Sequence, residues 1–400
     1  MTETRTETRE ETQKETRQTP VRRPRGPRRK YALLDLAAPV LAVLFAMAVA
    51  SVALLVIGKN PLAVYGTMFA FSFGRLDSVA AILYKATPLI FSGLAVAVGF
   101  RAKLFNIGVE GQYLIGAFCA SWVGFAVKGL PAAVHLPLVV LAGALGGALW
   151  ALVPIWLKVK RGVHEVISTI MLNHTAFLLL HYLIADVFMD KTQVIVGGAG
   201  SPRVRMPLME PTALMPKLHG LADLIGVELP SHSSLNWMLV FGILLAAGLW
   251  YLVWRTPFGV ELRAVGHSPD AAEAAGINPS AVYFKTFLMS GAIAGLVGLS
   301  DLIGHFGYLD IDFPRGYGFT GIAVALVARN NSLGIILAAL LFGFLSRGGL
   351  GIQVLEKVPM ETYVILQGLI ILTIVVFWEV IRRYVRARQK REEASADAQC

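Results

Sequence analysis

Long apolar runs, separated by short segments rich in arginine and lysine, make up most of the chain. Eight of them are about as long as the roughly 20 residues that a helix needs to cross a bilayer. The predicted spans are Leu33–Ile57, Val79–Phe100, Leu104–Val127, Leu136–Leu157, Val163–Phe188, Leu235–Trp254, Ala281–Gly304 and Thr362–Ile381. A further apolar stretch, Phe319–Leu345, is interrupted by the sequence ARNNS. Each of its arms is only about a dozen residues long, so we expect a hairpin of short helices buried by their neighbours.

Composition favours a membrane protein over a soluble one. Hydrophobic residues make up 56% of the chain and charged residues 16%, and the mean hydropathy is +0.63. In average soluble domains, roughly 45–50% of the residues are hydrophobic and about 25% are charged. The present chain therefore has too little polar surface to cover a soluble protein. The sequence therefore predicts an all-α integral membrane protein. We expect a polytopic helical bundle of about ten helical segments and roughly 8–10 crossings.

Basic clusters predict the orientation of this bundle. Positive charge is concentrated in VRRPRGPRRK near the start of the chain and in RRYVRARQKR near its end, each beside an apolar span. Such charge marks the cytoplasmic side of a membrane, which we favour over nucleic-acid binding. We therefore expect both termini to be cytoplasmic. The loops FRAK, KVKRG and WRTPFGVELR are predicted on the same side.

The predicted domains follow from this orientation. Residues 1–30 are predicted to form a disordered basic cytoplasmic tail, because most of them are polar and of low complexity. Residues 31–382 form the transmembrane domain, and residues 383–400 form a second basic cytoplasmic tail. Residues 189–234 are the long extracytoplasmic loop, and residues 255–281 are the longest cytoplasmic loop. The first span lacks a small-residue cleavage site and should remain as an anchor.

A short helix is predicted within the cytoplasmic loop. Ser268 is a typical N-cap, Pro269 suits the first helical position, and Gly276 suits the end. The residues selected from this helix are Ser268, Pro269, Asp270, Ala271, Glu273, Ala274, Ala275 and Gly276. We expect a helix of about two turns at the cytoplasmic face.

The segment FNIGVEGQ places three polar side chains, Asn106, Glu110 and Gln112, in an apolar region. Burial of such groups in hydrocarbon costs several kcal/mol each unless protein partners satisfy them. Gly108 and Gly111 weaken an unbroken helix and allow close approach of neighbours. The three side chains either hold helices together or line a hydrophilic path, and the sequence leaves both interpretations open.

A second polar segment is GVHEVISTIMLNHTAFLLL. Glu165, Thr169 and Asn173 repeat every four residues and form one polar stripe on a predicted helix,. Such a stripe faces the interior of a bundle, where it serves packing or a pore. Glu165 is also a charge that the dipole favours at a helix start. The ionisable residues assigned to spans are Glu110, Glu165, His174, His181 and Asp186.

Motifs of membrane enzymes are missing from the sequence. There is no phosphate-binding GxxxxGK[ST], no HExxH, no GxSxG and no CxxC, so we expect no catalytic residues and no metal site,. The two cysteines, Cys119 and Cys400, imply no disulfide framework. If ATP drives this protein, another chain must bind it.

Four segments together closely resemble one family: FNIGVEGQYLIGA, HEVISTIMLNHTA, AVGHSPDAAEAAGINPSAVYFKTFLMSGAIAGLVG and GYGFTGIAVALVARNN. It is the family of permease subunits of bacterial ABC importers for nucleosides and simple sugars, within the larger group of ribose and branched-chain amino-acid permeases. The resemblance runs from about Leu62 to Glu379. It implies a transmembrane permease domain at 31–382 whose substrate is a nucleoside or, second, a simple sugar.

The resemblance also implies partners. Such permeases work with a second permease subunit, often a different chain, with two ATPase subunits inside, and with a solute-binding protein outside. It implies that the Ser268–Gly276 helix is the coupling helix that seats in the ATPase, although its match to the older EAA consensus is loose. No cofactor is expected in this chain, because ATP and magnesium are bound by the ATPase.

Two alternatives remain at this stage. An ion-coupled secondary transporter would act without an ATPase, but it usually needs deep carboxylates, and no deep pair is identified. The second alternative is a membrane scaffold without a transport role. The segments SGLAVAVG at 92–99 and SGAIAGLVG at 290–298 are weakly similar in sequence. This similarity is compatible with an inverted repeat, as in many transporters.

Overall fold

A computed structural model describes residues 28–191, 204–220, 226, 230 and 233–397. The helices of the first half are α1 (Arg28–Val56), α2 (Pro61–Phe73), α3 (Leu76–Arg101), α4 (Val109–Ala126), α5 (Ala132–Arg161) and α6 (Glu165–Tyr182). Those of the second half are α7 (Met238–Arg255), α8 (Pro257–His267), α9 (Pro269–Ala274), α10 (Pro279–Ala294), α11 (Leu299–Asp301), α12 (Tyr317–Val327), α13 (Ser332–Leu355) and α14 (Met360–Asp397). Helices α6 and α11 continue into π-helical turns, Leu183–Val187 and Leu302–Phe306.

The predicted fold class is confirmed. Within the described part of the chain, seven helical segments are long and apolar enough to cross a membrane, or eight if the bent pair Leu41–Val56 and Pro61–Phe73 is one span. Extended structure there is limited to two isolated bridges, Arg205 with Asp310 and Lys217 with Asn236. The protein is therefore an all-α polytopic membrane protein.

Some helices begin or end at other residues than the sequence predicted. Helix α2 was not predicted, although Asn60 caps its start and Pro61 occupies its first position,. Helix α4 begins at Val109, after a non-helical segment, instead of at Leu104. Helix α13 has 24 residues and is long enough to cross, so only the first arm of the ARNNS hairpin is short,.

The terminal and loop predictions fall partly on undescribed residues. Helix α1 begins at Arg28, inside the predicted tail 1–30, and residues 1–27 of that tail lie outside the described part. Helix α14 continues through most of the predicted tail 383–400 and ends at Asp397. In the loop 189–234, residues 204–220 are described, and they contain a short 3-10 turn, Pro211–Ala213.

The chain forms two compact units, and each has its own packing. Residues 49–372 form the larger unit, which contains α2 to α13. The described residues 28–48 and 373–397 belong to the smaller unit, in which the rings of Phe45 and Phe377 stack with centroids 4.6 Å apart.

The loops predicted to be cytoplasmic lie at one end of the larger unit. The guanidinium of Arg101, at the end of α3, donates to the carbonyl of Asn330 at 2.8 Å, in the turn between α12 and α13. Lys103 donates to the carbonyl of His267 at 3.1 Å, at the end of α8. The amide of Phe105 donates to Glu165 at 3.2 Å, at the start of α6. These bonds join four separate connections at what we call the basic end of the bundle.

Small residues bring α4, α5 and α10 into close contact. A Cβ atom added at Gly147 of α5 would lie 2.6 Å from the backbone nitrogen of Gly295, the residue that follows α10. A Cβ atom at Gly116 of α4 would lie 2.6 Å from the Cα atom of the same Gly295. Such spacing leaves no room for side chains and is typical of close helix packing in membranes.

Candidate functional site

The two polar segments selected from the sequence lie against each other. The amide of Gly111, in the first turn of α4, donates to Oδ1 of Asn173 at 2.8 Å. The Nδ2 group of Asn173 donates to the carbonyl of Ile107 at 3.0 Å, in the segment before α4. The first backbone N–H groups of a helix have no partner within the helix. Asn173, on α6, is the hydrogen-bond acceptor for one of these groups in α4. The polar stripe of α6 therefore faces the start of α4.

Asn106 and Gln112 form a reciprocal amide pair. The Nδ2 group of Asn106 donates to Oε1 of Gln112 at 2.9 Å, and the Nε2 group of Gln112 donates to Oδ1 of Asn106 at 3.1 Å. Asn106 also donates to Oγ of Ser290 at 2.9 Å, and Ser290 donates to the carbonyl of Ala95 at 2.6 Å. This pair thereby ties the start of α4 to α10 and α3.

Glu110 binds the start of the short helix α12. Its carboxylate accepts the backbone N–H of Gly316 at 2.7 Å and of Gly318 at 2.8 Å. It also accepts the hydroxyl of Tyr113 at 3.1 Å. A carboxylate at a helix N-terminus is stabilised by the helix dipole and satisfies unpaired N–H groups. Glu110 therefore acts as an N-terminal cap supplied by a different helix.

Glu165 connects α5 with α6 at the basic end. Its carboxylate lies 2.6 Å from Nζ of Lys158, the last turn of α5, in addition to accepting the amide of Phe105. Its backbone carbonyl accepts the hydroxyl of Thr169 at 2.8 Å. The carboxylate is almost fully buried, so the lysine compensates its charge,.

All six polar residues selected from the sequence are buried and hydrogen-bonded, and none is more than 7% exposed: Asn106, Glu110, Gln112, Glu165, Thr169 and Asn173. Five of them hold the start of α4 against other helices, and Thr169 bonds within α6. These contacts account for their burial. A role in lining the translocation pathway stays a prediction.

A further buried carboxylate, Asp301, was not among the residues selected from the sequence. It lies in the predicted span Ala281–Gly304, is 2% exposed, and accepts hydroxyl groups from Tyr84 and Tyr317. Asp301 is thus buried like Glu110, although no deep carboxylate pair was identified from the sequence. The available signal was a single carboxylate inside an apolar span, which marks a functional position in membrane proteins.

The predicted loop helix is present as α9. The hydroxyl of Ser268 accepts the amide of Ala271 at 3.3 Å, Pro269 is the first helical residue, and Gly276 has a positive φ of 83°. Ala272 is buried in a cluster with Leu104 at the basic end. The opposite surface of α9 is exposed and consists of Asp270, Ala271, Glu273, Ala274 and Ala275. The helix thus exposes small and acidic residues.

A second helix, α8, precedes α9 in the same loop and was not predicted. Thr256 is its N-cap and accepts the amide of Gly259 at 3.2 Å, and Pro257 is its first residue. These two residues were a readable start signal. The hydrogen bond from Lys103 to the carbonyl of His267 joins α8 to the turn after α3. Helix α8 therefore connects α9 to the bundle.

No metal centre is indicated in the described part of the chain, where no group of three or more His, Cys, Asp or Glu side chains could hold an ion.

The protein is a polytopic helical bundle that contains a short capped helix and has an exposed helical loop at its basic end. This architecture is that of a transport permease. Comparison with protein families bears this out. The chain belongs to the family described as branched-chain amino acid transport system / permease component, which matches residues 78–375. It is a multi-pass plasma-membrane protein and the permease component of an ABC transporter.

Three curated relatives are similar over most of their lengths. The guanosine ABC transporter permease protein NupP of Bacillus subtilis is 35% identical, over 91% of this chain and 99% of that protein. The glucose ABC transporter permease protein TsgB13 of Haloferax volcanii is 35% identical, over 93% and 96%. The nucleoside ABC transporter permease protein NupB of Lactococcus lactis is 31% identical, over 84% and 90%. No solved structure matches the chain significantly.

Proposed function

We propose that this chain is one of two permease subunits of an ATP-driven importer that carries a nucleoside or, second, a simple sugar across the plasma membrane. The exposed face of α9 is the observation that carries this proposal. It lies at the basic end, it is built of small residues, and it is fixed to the bundle through Ala272 and α8. A capped, small-residue helix of this kind suits a groove of a cytoplasmic ATPase.

The substrate class rests on the relatives. Their names specify guanosine, glucose and nucleosides. These compounds are neutral, and each carries a ring with several hydroxyl groups. A nucleoside is our first choice, because NupP and NupB, named for guanosine and nucleosides, are both more than 30% identical to this chain.

The partners of the proposed importer follow from its class. Two ATPase subunits bind ATP and magnesium on the cytoplasmic side, and an extracytoplasmic binding protein delivers the substrate. A second, related permease completes the membrane part. Bacillus subtilis has two similar proteins, NupP and NupQ, which are both named guanosine ABC transporter permease proteins. A heterodimer of related chains is consistent with that pairing.

Reconstitution into proteoliposomes tests this function. The complete importer contains this chain, the second permease, the ATPase and the binding protein, and uptake of radiolabelled guanosine is measured with ATP inside. We expect uptake to stop when the ATPase lacks its catalytic carboxylate. Undiminished uptake with that inactive ATPase would refute an ATP-driven importer.

The buried carboxylates Glu110 and Asp301 favour one other candidate, an ion-coupled transporter that works without an ATPase,. It predicts that this chain alone accumulates substrate in proteoliposomes under a proton or sodium gradient. The importer predicts no accumulation in that experiment. The family membership of the chain makes the importer the stronger proposal.

A further inference from the structure

Asp301 is the centre of a polar cluster that none of the anchoring contacts requires. One carboxylate oxygen accepts the hydroxyl of Tyr317 at 2.8 Å, and the other accepts the hydroxyl of Tyr84. One turn further along the chain, the ring of His305 lies 5.9 Å from that of Tyr84. Asp301 itself is buried, whereas Tyr84 and Tyr317 are partly exposed and His305 is exposed. The two tyrosine rings thus extend from a buried charge to the surface of the chain.

The backbone is irregular at this position. The membrane span Pro279–Phe306 is interrupted after Ala294, resumes at Leu299–Asp301 and continues as the π-helical turn Leu302–Phe306. Asp301 lies at the junction between the last two segments. Broken helices at membrane depth and π-helical turns are frequent at substrate and ion sites. The irregularity and the buried carboxylate therefore mark the same position.

Tyr317 reaches Asp301 from a different helix than Tyr84 does. It is the first residue of α12, which has 11 residues and ends at the turn bonded to Arg101 at the basic end. A helix of that length is about 16 Å long, roughly half the hydrocarbon thickness. Its first residue therefore lies about that distance from the basic end, and the cluster lies toward the opposite end of the bundle, where Ser234 of the predicted extracytoplasmic loop bonds His305.

The surroundings of the cluster are unsuited to lipid contact. His305 is exposed and pairs with the hydroxyl of Ser234 through Nδ1 at 2.9 Å, and Nζ of Lys85 lies 5.7 Å from the ring centroid of Tyr84. Polar and ionisable groups at membrane depth face protein or a water-filled cavity and avoid lipid. The exposed side of this cluster therefore faces water or a partner subunit.

The chemistry of the cluster fits a neutral ring that carries hydroxyl groups. A carboxylate accepts two hydroxyl donors at once, and here two phenols occupy those positions. Two neighbouring substrate hydroxyls can replace the phenols without leaving the charge unpaired. The freed tyrosine rings offer flat apolar faces for a base or a sugar ring.

We propose that Asp301, flanked by Tyr84 and Tyr317, binds the vicinal hydroxyl groups of the substrate during translocation. This inference rests on the proposed function and specifies which part of the substrate the permease recognises. The contact selects compounds with a vicinal diol.

The test compares uptake of a ribonucleoside and of its 2′,3′-dideoxy analogue by the complete importer in proteoliposomes. The binding protein is the same in all samples, so ratios between variants report on the permease. We expect Asp301→Asn to lower adenosine uptake about tenfold or more, because hydrogen bonds to a charged group are lost. Dideoxyadenosine uptake should stay within about twofold, because its ring lacks the hydroxyls that the carboxylate binds.

The matched control is Asp186→Asn, which changes an exposed carboxylate in the other π-helical turn, Leu183–Val187. It should leave both uptake rates unchanged. An equal loss of both substrates in Asp301→Asn, or no loss of either, would overturn the inference and leave the importer function intact. Failure of the unaltered importer to take up any nucleoside or sugar would overturn the proposed function itself.

A second variant keeps the inference testable if Asp301→Asn does not fold, as judged by size-exclusion chromatography. Tyr317→Phe removes one phenol that competes with the substrate and keeps the ring. We expect a lower KM for adenosine and an unchanged KM for dideoxyadenosine. A higher KM for both substrates would contradict a recognition role and indicate a structural one.

Discussion

The carboxylate of Glu110 lies 2.7 Å from the backbone nitrogen of Gly316, a residue 206 positions further along the chain. A second carboxylate oxygen accepts the amide of Gly318 at 2.8 Å. Helix α12 therefore depends on a side chain from α4 for the partners of its first N–H groups. A helix that starts inside a membrane cannot use water for this purpose.

Replacement of this cap should destabilise the protein. Glu110→Gln keeps one oxygen acceptor but removes the charge, and its amide NH2 group would face a backbone N–H. We expect the free energy of unfolding to fall by about 1–3 kcal/mol, which thermal unfolding of the purified chain in detergent would measure. Uptake per correctly assembled complex should be largely retained.

Glu361→Gln is the matched control, because Glu361 lies in the first turn of α14 and is exposed. It should not change the thermal midpoint. A Glu110→Gln protein with normal stability and abolished uptake would contradict the capping role and favour a role of Glu110 in translocation.

The second prediction concerns the amide of Asn173, which binds Ile107 and Gly111 at once. Asn173→Ala leaves one partly buried carbonyl and one buried N–H group without these partners. Each lost partner costs about 1–3 kcal/mol, so we expect a clear loss of thermal stability and of folded protein. The measurement is the thermal midpoint together with the yield of monodisperse protein.

Thr175→Ala separates this effect from a general sensitivity of α6. The hydroxyl of Thr175 is exposed and donates only to the carbonyl of Met171, one turn earlier. Its loss should leave the midpoint unchanged. Equal midpoints for the two alanine variants would show that the Asn173 contacts contribute nothing measurable.

The apolar runs predicted most of the long helices, because a bilayer requires a nearly continuous apolar segment of fixed length. The caps of α9 were also readable, since Ser268 and Gly276 act on their own backbone. Helices α2 and α8 carry similar local signals at Asn60 and Thr256 and could have been predicted in the same way.

The long-range contacts of the candidate site could not be read from the sequence. Glu110 and Asn173 bind backbone groups of other helices, and a polar stripe does not reveal which neighbour it will meet. The segment before α4 also has a local contact, in which the amide of Gly108, the residue before the helix, donates to Oδ1 of Asn106. Nothing in the sequence indicates that the hydroxyl groups of Tyr84 and Tyr317 donate to Asp301.

The third prediction tests close helix packing. A Cβ atom at Gly147 would lie 2.6 Å from the backbone of Gly295, which cannot move without shifting α10. Gly147→Val should therefore destabilise the protein by several kcal/mol or prevent folding, in line with the upper range for overpacked cores. Gly248→Val, on α7, places its side chain where no heavy atom lies within 4 Å. It should give normal yield and thermal stability, and equally good folding of the two valine variants would contradict this packing.

The fourth prediction addresses the exposed face of α9. Ala274 is exposed, and Ala272, two residues earlier, holds the helix on the bundle. Ala274→Arg adds a long cation to the face that we propose enters the ATPase groove, without touching the core. We expect normal stability of the isolated chain but loss of ATPase binding in a pull-down and loss of substrate-stimulated ATP hydrolysis. Ala274→Ser, which adds only a hydroxyl, should retain both, and a fully active Ala274→Arg complex would exclude this surface as the docking site.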